Sequence, residues 1–154
     1  MKKLNPEFVN ELMAAVNACN FFQLLSMRLE NLAWGTSELT IAAQEKHLQP
    51  YGIVHGGVCA ALIDAACFWA AFTQAPEHSG LTTVDLKLNY LEPIVSGDLF
   101  ATGECVKLGK RLGLASARVK NTEGNLVAHG ASTLMVLSGH ELQSASPLAA
   151  KYLE

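Results

Sequence analysis

Charge is scarce in this chain and has no basic bias. Charged residues make up 16% of the 154, and the formal net charge is −3. A general nucleic-acid binder needs a basic face, so that class is set aside. A small polyanionic ligand is not excluded, because local charge rather than the total attracts it. Long hydrophobic runs are also missing. The longest, Val58 to Phe72, is broken by Asp64 and falls short of the roughly 20 residues that span a bilayer. Met1-Lys2-Lys3 leads into Asn5, Pro6, Glu7, Asn10 and Glu11 rather than into the apolar core of a signal peptide, so a cytoplasmic protein without a membrane partner is expected. The four cysteines (Cys19, Cys59, Cys67 and Cys105) form no CxxC pair and have no metal-ligand spacing, so no metal is expected. Cys59 and Cys67 stand eight positions apart in one helical run, about 12 Å of rise. That exceeds the roughly 7 Å a disulfide tolerates between Cα atoms. The cysteines read as small buried hydrophobes in a reducing compartment. Internal repeats and low-complexity tracts are absent.

Half the residues are hydrophobic, which suits a compact chain with a real core. Residues 1–154 read as a single domain. Its N-terminal segment, 1–20, carries a helix over 6–18, where Phe8, Val9, Leu12, Met13 and Val16 have helical spacing and Pro6 suits the first turn. Residues 21–25 are a short apolar patch. Strands are expected at about 26–33 and 36–43, with a turn at Trp34-Gly35. A long helix follows from about Gly57 to Gln74, closed by Pro76. In 82–90 the apolar Val84, Leu86, Leu88 and Tyr90 alternate with Thr83, Asp85, Lys87 and Asn89, the mark of a strand. Further strands fall near 98–108, 112–121 and 126–137, with turn residues at 108–111 and 121–125. The tail, 138–154, carries no readable pattern. The expected class is α+β: a largely antiparallel sheet with one very apolar helix across a face. That helix is apolar on all sides, so either the sheet wraps around it or a second subunit covers it.

The densest information lies in residues 49–64, QPYGIVHGGVCAALID. A glycine pair, Gly56 and Gly57, opens the apolar helix, and Asp64 is its only charge. A carboxylate in such surroundings is costly unless something pairs with it or uses it.

This segment, with Leu62-Ile63-Asp64 and the run TVDLKLNYLEP over 83–93, resembles the hotdog-fold acyl-CoA thioesterases, especially the phenylacetate-pathway branch. The likeness covers about residues 20–137. It implies a curved antiparallel sheet wrapped around the long central helix, and two subunits joined into one continuous sheet. It also implies two active sites at the dimer interface, and hydrolysis of an acyl-CoA thioester with no metal or organic cofactor. The family pairs dimers into tetramers in two ways, and the motifs here do not choose between them.

Roles follow from the matching positions. Gly56 matches the backbone donor that polarises the thioester carbonyl, with Gly57 as a second candidate; free N–H groups at a helix start suit that task. The plain alternative is a tight strand-to-helix turn. Asp64 is the expected base that activates water, or the nucleophile itself. Gln49 matches a Gln/Asn position near the thioester and the attacking water, its amide being both donor and acceptor, or it is a plain polar loop residue beside Pro50. His55 either holds the helix start or moves a proton. Thr83 matches a hydroxyl that assists water, yet strand alternation sets it opposite Val84 and Leu86, which keeps Thr82 in play. Phe68, one turn after Asp64, stands where another branch has a small hydroxyl residue. With Trp69 and Phe72 it forms either an acyl pocket or plain core. Lys110 and Arg111 in a hairpin turn are candidates for the coenzyme A phosphates, or simply a solvated turn. Gly56 and Asp64 lie eight residues apart, about 12 Å along one helix. Reacting atoms must approach to about 3–3.5 Å. One subunit's pair is therefore not expected to serve one carbonyl, and catalysis should require a dimer. Two other functions fit less well: a hotdog hydratase or dehydratase, for which His55 and Asp64 would move protons at adjacent carbons, and a non-catalytic acyl-CoA-binding module.

Overall fold

The computed structural model describes residues 2–153. Asn5 caps α1 (Pro6–Ala18) by accepting from the Glu7 N–H, and Phe8, Leu12 and Val16 form its buried stripe. The apolar patch that follows is a short helix, α2 (Asn20–Leu25), ended by Ser26 in a left-handed conformation. Six strands follow the alternation of the sequence: β1 (Met27–Ala33), β2 (Thr36–Ala42), β3 (Ser79–Tyr90), β4 (Asp98–Leu108), β5 (Leu112–Lys120) and β6 (Leu126–Ser138). They build one antiparallel sheet in the order β1-β2-β4-β5-β6-β3.

The long helix, α3 (Gly56–Phe72), packs against all six strands, so the curved sheet wraps it. The approach is closest at Gly103 of β4, where an added Cβ would lie 2.2 Å from the Ala66 carbonyl oxygen. Ser37 donates to that same oxygen at 2.7 Å. Eleven of the 17 helix residues are buried. The other six, Gly56, Gly57, Ala60, Ala61, Asp64 and Phe68, are partly buried or, at Gly57, exposed, and they recur at helical spacing to form one open stripe.

The two sheet edges differ. On β1, the Asn17 side chain accepts from the Leu29 N–H and donates to its carbonyl, and Arg28 and Glu30 add charge. Such features blunt an edge against pairing. At the other end of the strand order, β3 pairs with β6 on one side only.

One reading of the sequence is corrected here. The alternation assigned to 82–90 puts Val84 on the inner face. A bulge between Thr83 and Asp85 instead leaves Val84 53% exposed and reverses the phase behind it. Thr83 therefore shares the helix-facing side with Leu86 and Leu88, and Thr82 lies on the opposite side. The tail, which carries no readable pattern, is an irregular strap. Tyr152 bridges to Leu4, and Lys151 Nζ donates to the Phe72 and Ala75 carbonyls at 2.6 Å each, capping the end of α3. Among the described residues no helix is long and apolar enough to cross a membrane.

Candidate active site

The site is built around the two ends of the first half of α3. A helix leaves its first N–H groups without internal partners. Here His55 is the N-cap, its Nδ1 accepting from the Gly57 N–H at 2.8 Å. The acceptor role places the ring proton on Nε2. The Gly57 donor is thus occupied, and the Val58 N–H reaches the His55 carbonyl. The Gly56 N–H has no acceptor among the described residues, on a residue only partly buried. It is an unpaired donor at the positive end of a 17-residue helix, the arrangement that stabilises an anion.

Asp64 lies two turns on, partly buried in the open stripe. Thr83 Oγ1 donates to its Oδ1 at 2.8 Å, a contact that exists because the Val84 bulge turns Thr83 toward the helix. One carboxylate oxygen is so held and the other has no partner among the described residues. α3 runs unbroken between Gly56 and Asp64, so their separation along the axis stays at about 12 Å.

The loop before the helix is pinned on several sides. Buried His47 accepts from the Gln44 N–H at Nδ1 and donates from Nε2 to the Leu25 carbonyl; its own carbonyl accepts from the His55 N–H. Nothing in the sequence singled out His47. Leu48 bridges Val54, and the Val54 N–H reaches the Ile94 carbonyl. Gln49, half-buried, uses Oε1 to accept from the Tyr51 N–H and leaves its amide NH₂ unpaired among the described residues. Tyr90, also missed from sequence, donates to the Gly56 carbonyl at 3.0 Å.

The remaining candidates lie elsewhere in the single chain. Lys110 and Arg111 form the exposed β4–β5 turn. The Arg111 carbonyl accepts from the N–H of Val136, which pairs with Leu81. This puts the basic turn at the end of the sheet where β3 starts, whereas Tyr90 and Gly56 mark the other end. Phe68 stacks on Phe72 at 6.1 Å and meets Trp69 edge-on at 4.9 Å, half in the core and half in the open stripe. Burial pushes the Cys59 thiol up to about 11. Burial, with the Asp64 carboxylate adding to it, pushes Cys67 up to about 12. Neither thiol is a nucleophile at neutral pH. Hollows of about 470 and 700 Å³ lie beside the N-terminal segment and under the C-terminal strap, and neither is lined by Gly56 or Asp64. In one chain the acid and the free amide are both partly buried.

Comparison with known proteins agrees with this fold. The profile of the thioesterase superfamily matches residues 51–128, from the loop before α3 into β6. Acyl-coenzyme A thioesterase 13 of Homo sapiens is 30% identical over 123 residues, covering 78% of this chain and 87% of that protein. A thioesterase family protein from Silicibacter pomeroyi superposes with a TM-score of 0.78 at 28% identity, over 86% of this chain and 99% of its own. A thioesterase from Haemophilus influenzae gives 0.81 at 22% identity, over 92% and 98%, which speaks for the fold alone.

Proposed function

The chain belongs to the thioesterase superfamily, and from that premise we propose that it hydrolyses acyl-coenzyme A thioesters as a homodimer whose two active sites are each shared between subunits. The observation that carries this reading is the pairing of an unpartnered Gly56 amide with a Thr83-held Asp64 on one helix, about 12 Å apart, beside an unpaired sheet edge. Such a spacing serves two half-sites better than one whole site.

The edge strand β3 supports the dimer. Two copies related by a two-fold axis across β3 pair antiparallel and continue the sheet. The start of one β3 then lies near the end of its mate. Lys110 and Arg111 of one subunit move toward the Gly56 end of the other, and the open stripe of α3 is covered. Small residues at Gly57, Ala60 and Ala61 leave room for that approach.

The chemistry follows from what each group donates. The thioester carbonyl oxygen accepts from the Gly56 N–H of one subunit, which stabilises the charge that builds on oxygen during attack. Asp64 of the other subunit takes a proton from water as the water attacks the carbonyl carbon; with Asp64 as nucleophile, an acyl-aspartate forms first and water then cleaves it. In either course the C–S bond breaks, coenzyme A leaves as thiolate and is protonated, and the free acid remains. Gln49 offers its free amide to the thioester or the water, and His55 keeps the helix start in place. Lys110 and Arg111 meet the coenzyme A phosphates. Phe68 borders the acyl group, which suits an aryl or medium-chain substrate.

The test is thiol release across a panel of acyl-CoA esters, with Asp64→Asn in parallel and the mass in solution measured by sedimentation. Expected are release by the wild type, a loss of about 10²–10⁴-fold in the variant, and a dimer. Tight acyl-CoA binding without release by either protein would favour a binding module. Hydration of an enoyl-CoA without release would favour the hydratase.

A further inference from the structure

Strand β3 touches the catalytic helix at two polar points. Thr83 donates to Asp64, and Tyr90 Oη donates to the Gly56 carbonyl. The two residues are seven positions apart, an odd interval, so a regular strand would face them to opposite sides. The bulge at Val84 adds the one residue that brings both to the helix side.

Tyr90 also accounts for the glycine at 56. Gly56 has no positive φ, so its backbone conformation is open to any residue. An added Cβ would lie 2.8 Å from both Cζ and Oη of Tyr90. The ring fills the space a side chain would need, and its hydroxyl holds the first peptide of α3. Helix ends fray, and the first turn has the fewest backbone restraints.

We infer that Tyr90 is a positioning residue for thioester hydrolysis: its hydrogen bond to the Gly56 carbonyl aims the free Gly56 N–H at the substrate oxygen. It acts through the helix start and does not touch the reacting atoms. The inference rests on the reading of Gly56 as the carbonyl donor. Because Thr83 sets the acid of one shared site and Tyr90 the amide of the other, a single strand prepares both sites of the dimer.

Tyr90→Phe keeps the ring and removes the hydroxyl. Loss of one hydrogen bond to a reacting-site peptide predicts a fall in kcat of about 3–10-fold. KM and the thermal midpoint should hold close to wild type. Combined with Gly56→Pro, which has no N–H to aim, Tyr90→Phe should cost nothing further. An unchanged kcat, a fall explained by a lowered thermal midpoint, or an equal loss in both backgrounds would overturn the inference. Gly56→Ala, alone and with Tyr90→Ala, gives a second measure: the penalty of the added methyl should largely vanish once the ring is gone. A penalty independent of Tyr90 would mean the glycine answers the substrate instead. Full activity of Gly56→Pro by itself would sink the underlying reading of Gly56, a result separate from any outcome at Tyr90.

Discussion

Gly56→Pro isolates the one group on which the proposed chemistry most depends. Gly56 is the first residue of α3, the helical position where proline is best tolerated, because its N–H has no intrahelical partner. The preceding residue, His55, already has φ −62° and ψ 136°, the extended conformation a following proline requires. The substitution therefore deletes the amide hydrogen without opening the helix. The added Cβ meets the Tyr90 ring. Tyr90 is 57% exposed, so its ring can give way in either variant, at the cost of its bond to the Gly56 carbonyl. Gly56→Ala carries the same Cβ and keeps the N–H, so the comparison of Pro with Ala reports the loss of the donor together with the ring carbon that replaces its hydrogen. Removing one preorganised donor costs about 2.7–4 kcal/mol of transition-state stabilisation, or about 10²–10³ in kcat. The assay is thiol release at saturating acyl-CoA, with circular dichroism to confirm that both variants fold alike. A proline variant as fast as the alanine variant would refute the reasoning, since the Gly56 N–H would then have no part in the rate.

Two further substitutions test supporting contacts. Thr83→Val removes the hydroxyl that donates to Asp64 with little change in volume; kcat for thioester hydrolysis should fall about tenfold, and a wild-type rate would show that Asp64 needs no such hold. Burial pulls Lys151 down from 10.5 to about 7, with the Glu77 carboxylate opposing. Between those values the folded chain holds fewer protons than the unfolded one, so stability rises with pH across that window, by at most about 1.4 kcal/mol per unit. Thermal midpoints from pH 7 to 9 should therefore climb for the wild type relative to Lys151→Met, and parallel profiles would contradict that origin.

Much of the fold was legible because periodicity encodes it. Leu39 and Ile41 of β2 are buried as their alternation predicts, and the apolar run around Asp64 is the wrapped helix. What escaped was set by tertiary contacts. Alternation over 82–90 carries no mark of the extra residue at Val84, so the strand was read in the wrong phase and Thr83 seemed to face away from Asp64. Six residues of α2 are too few to show a helical period. The strap after Ser138 is held by Lys151 and Tyr152 through bonds to α3 and to carbonyls just beyond it, which no local pattern records. Around the site, the resemblance ranks Gly56 ahead of Gly57 as the donor, but no local pattern gives a physical ground for it; the His55 cap occupies the Gly57 N–H and leaves that of Gly56 free. Tyr90 looked like an ordinary strand residue because its partner lies 34 positions back.

Subunit exchange tests the shared site most directly. Asp64→Asn and Gly56→Pro homodimers, each nearly inactive alone, are mixed in equal amounts and allowed to exchange. Each mixed dimer holds both defects in one site and neither in the other. Half the dimers are mixed and half their sites are whole, so activity should recover to roughly a quarter of wild type. If instead the acid and the amide act within one chain, every site carries a defect, and the mixture will remain as inactive as its parents.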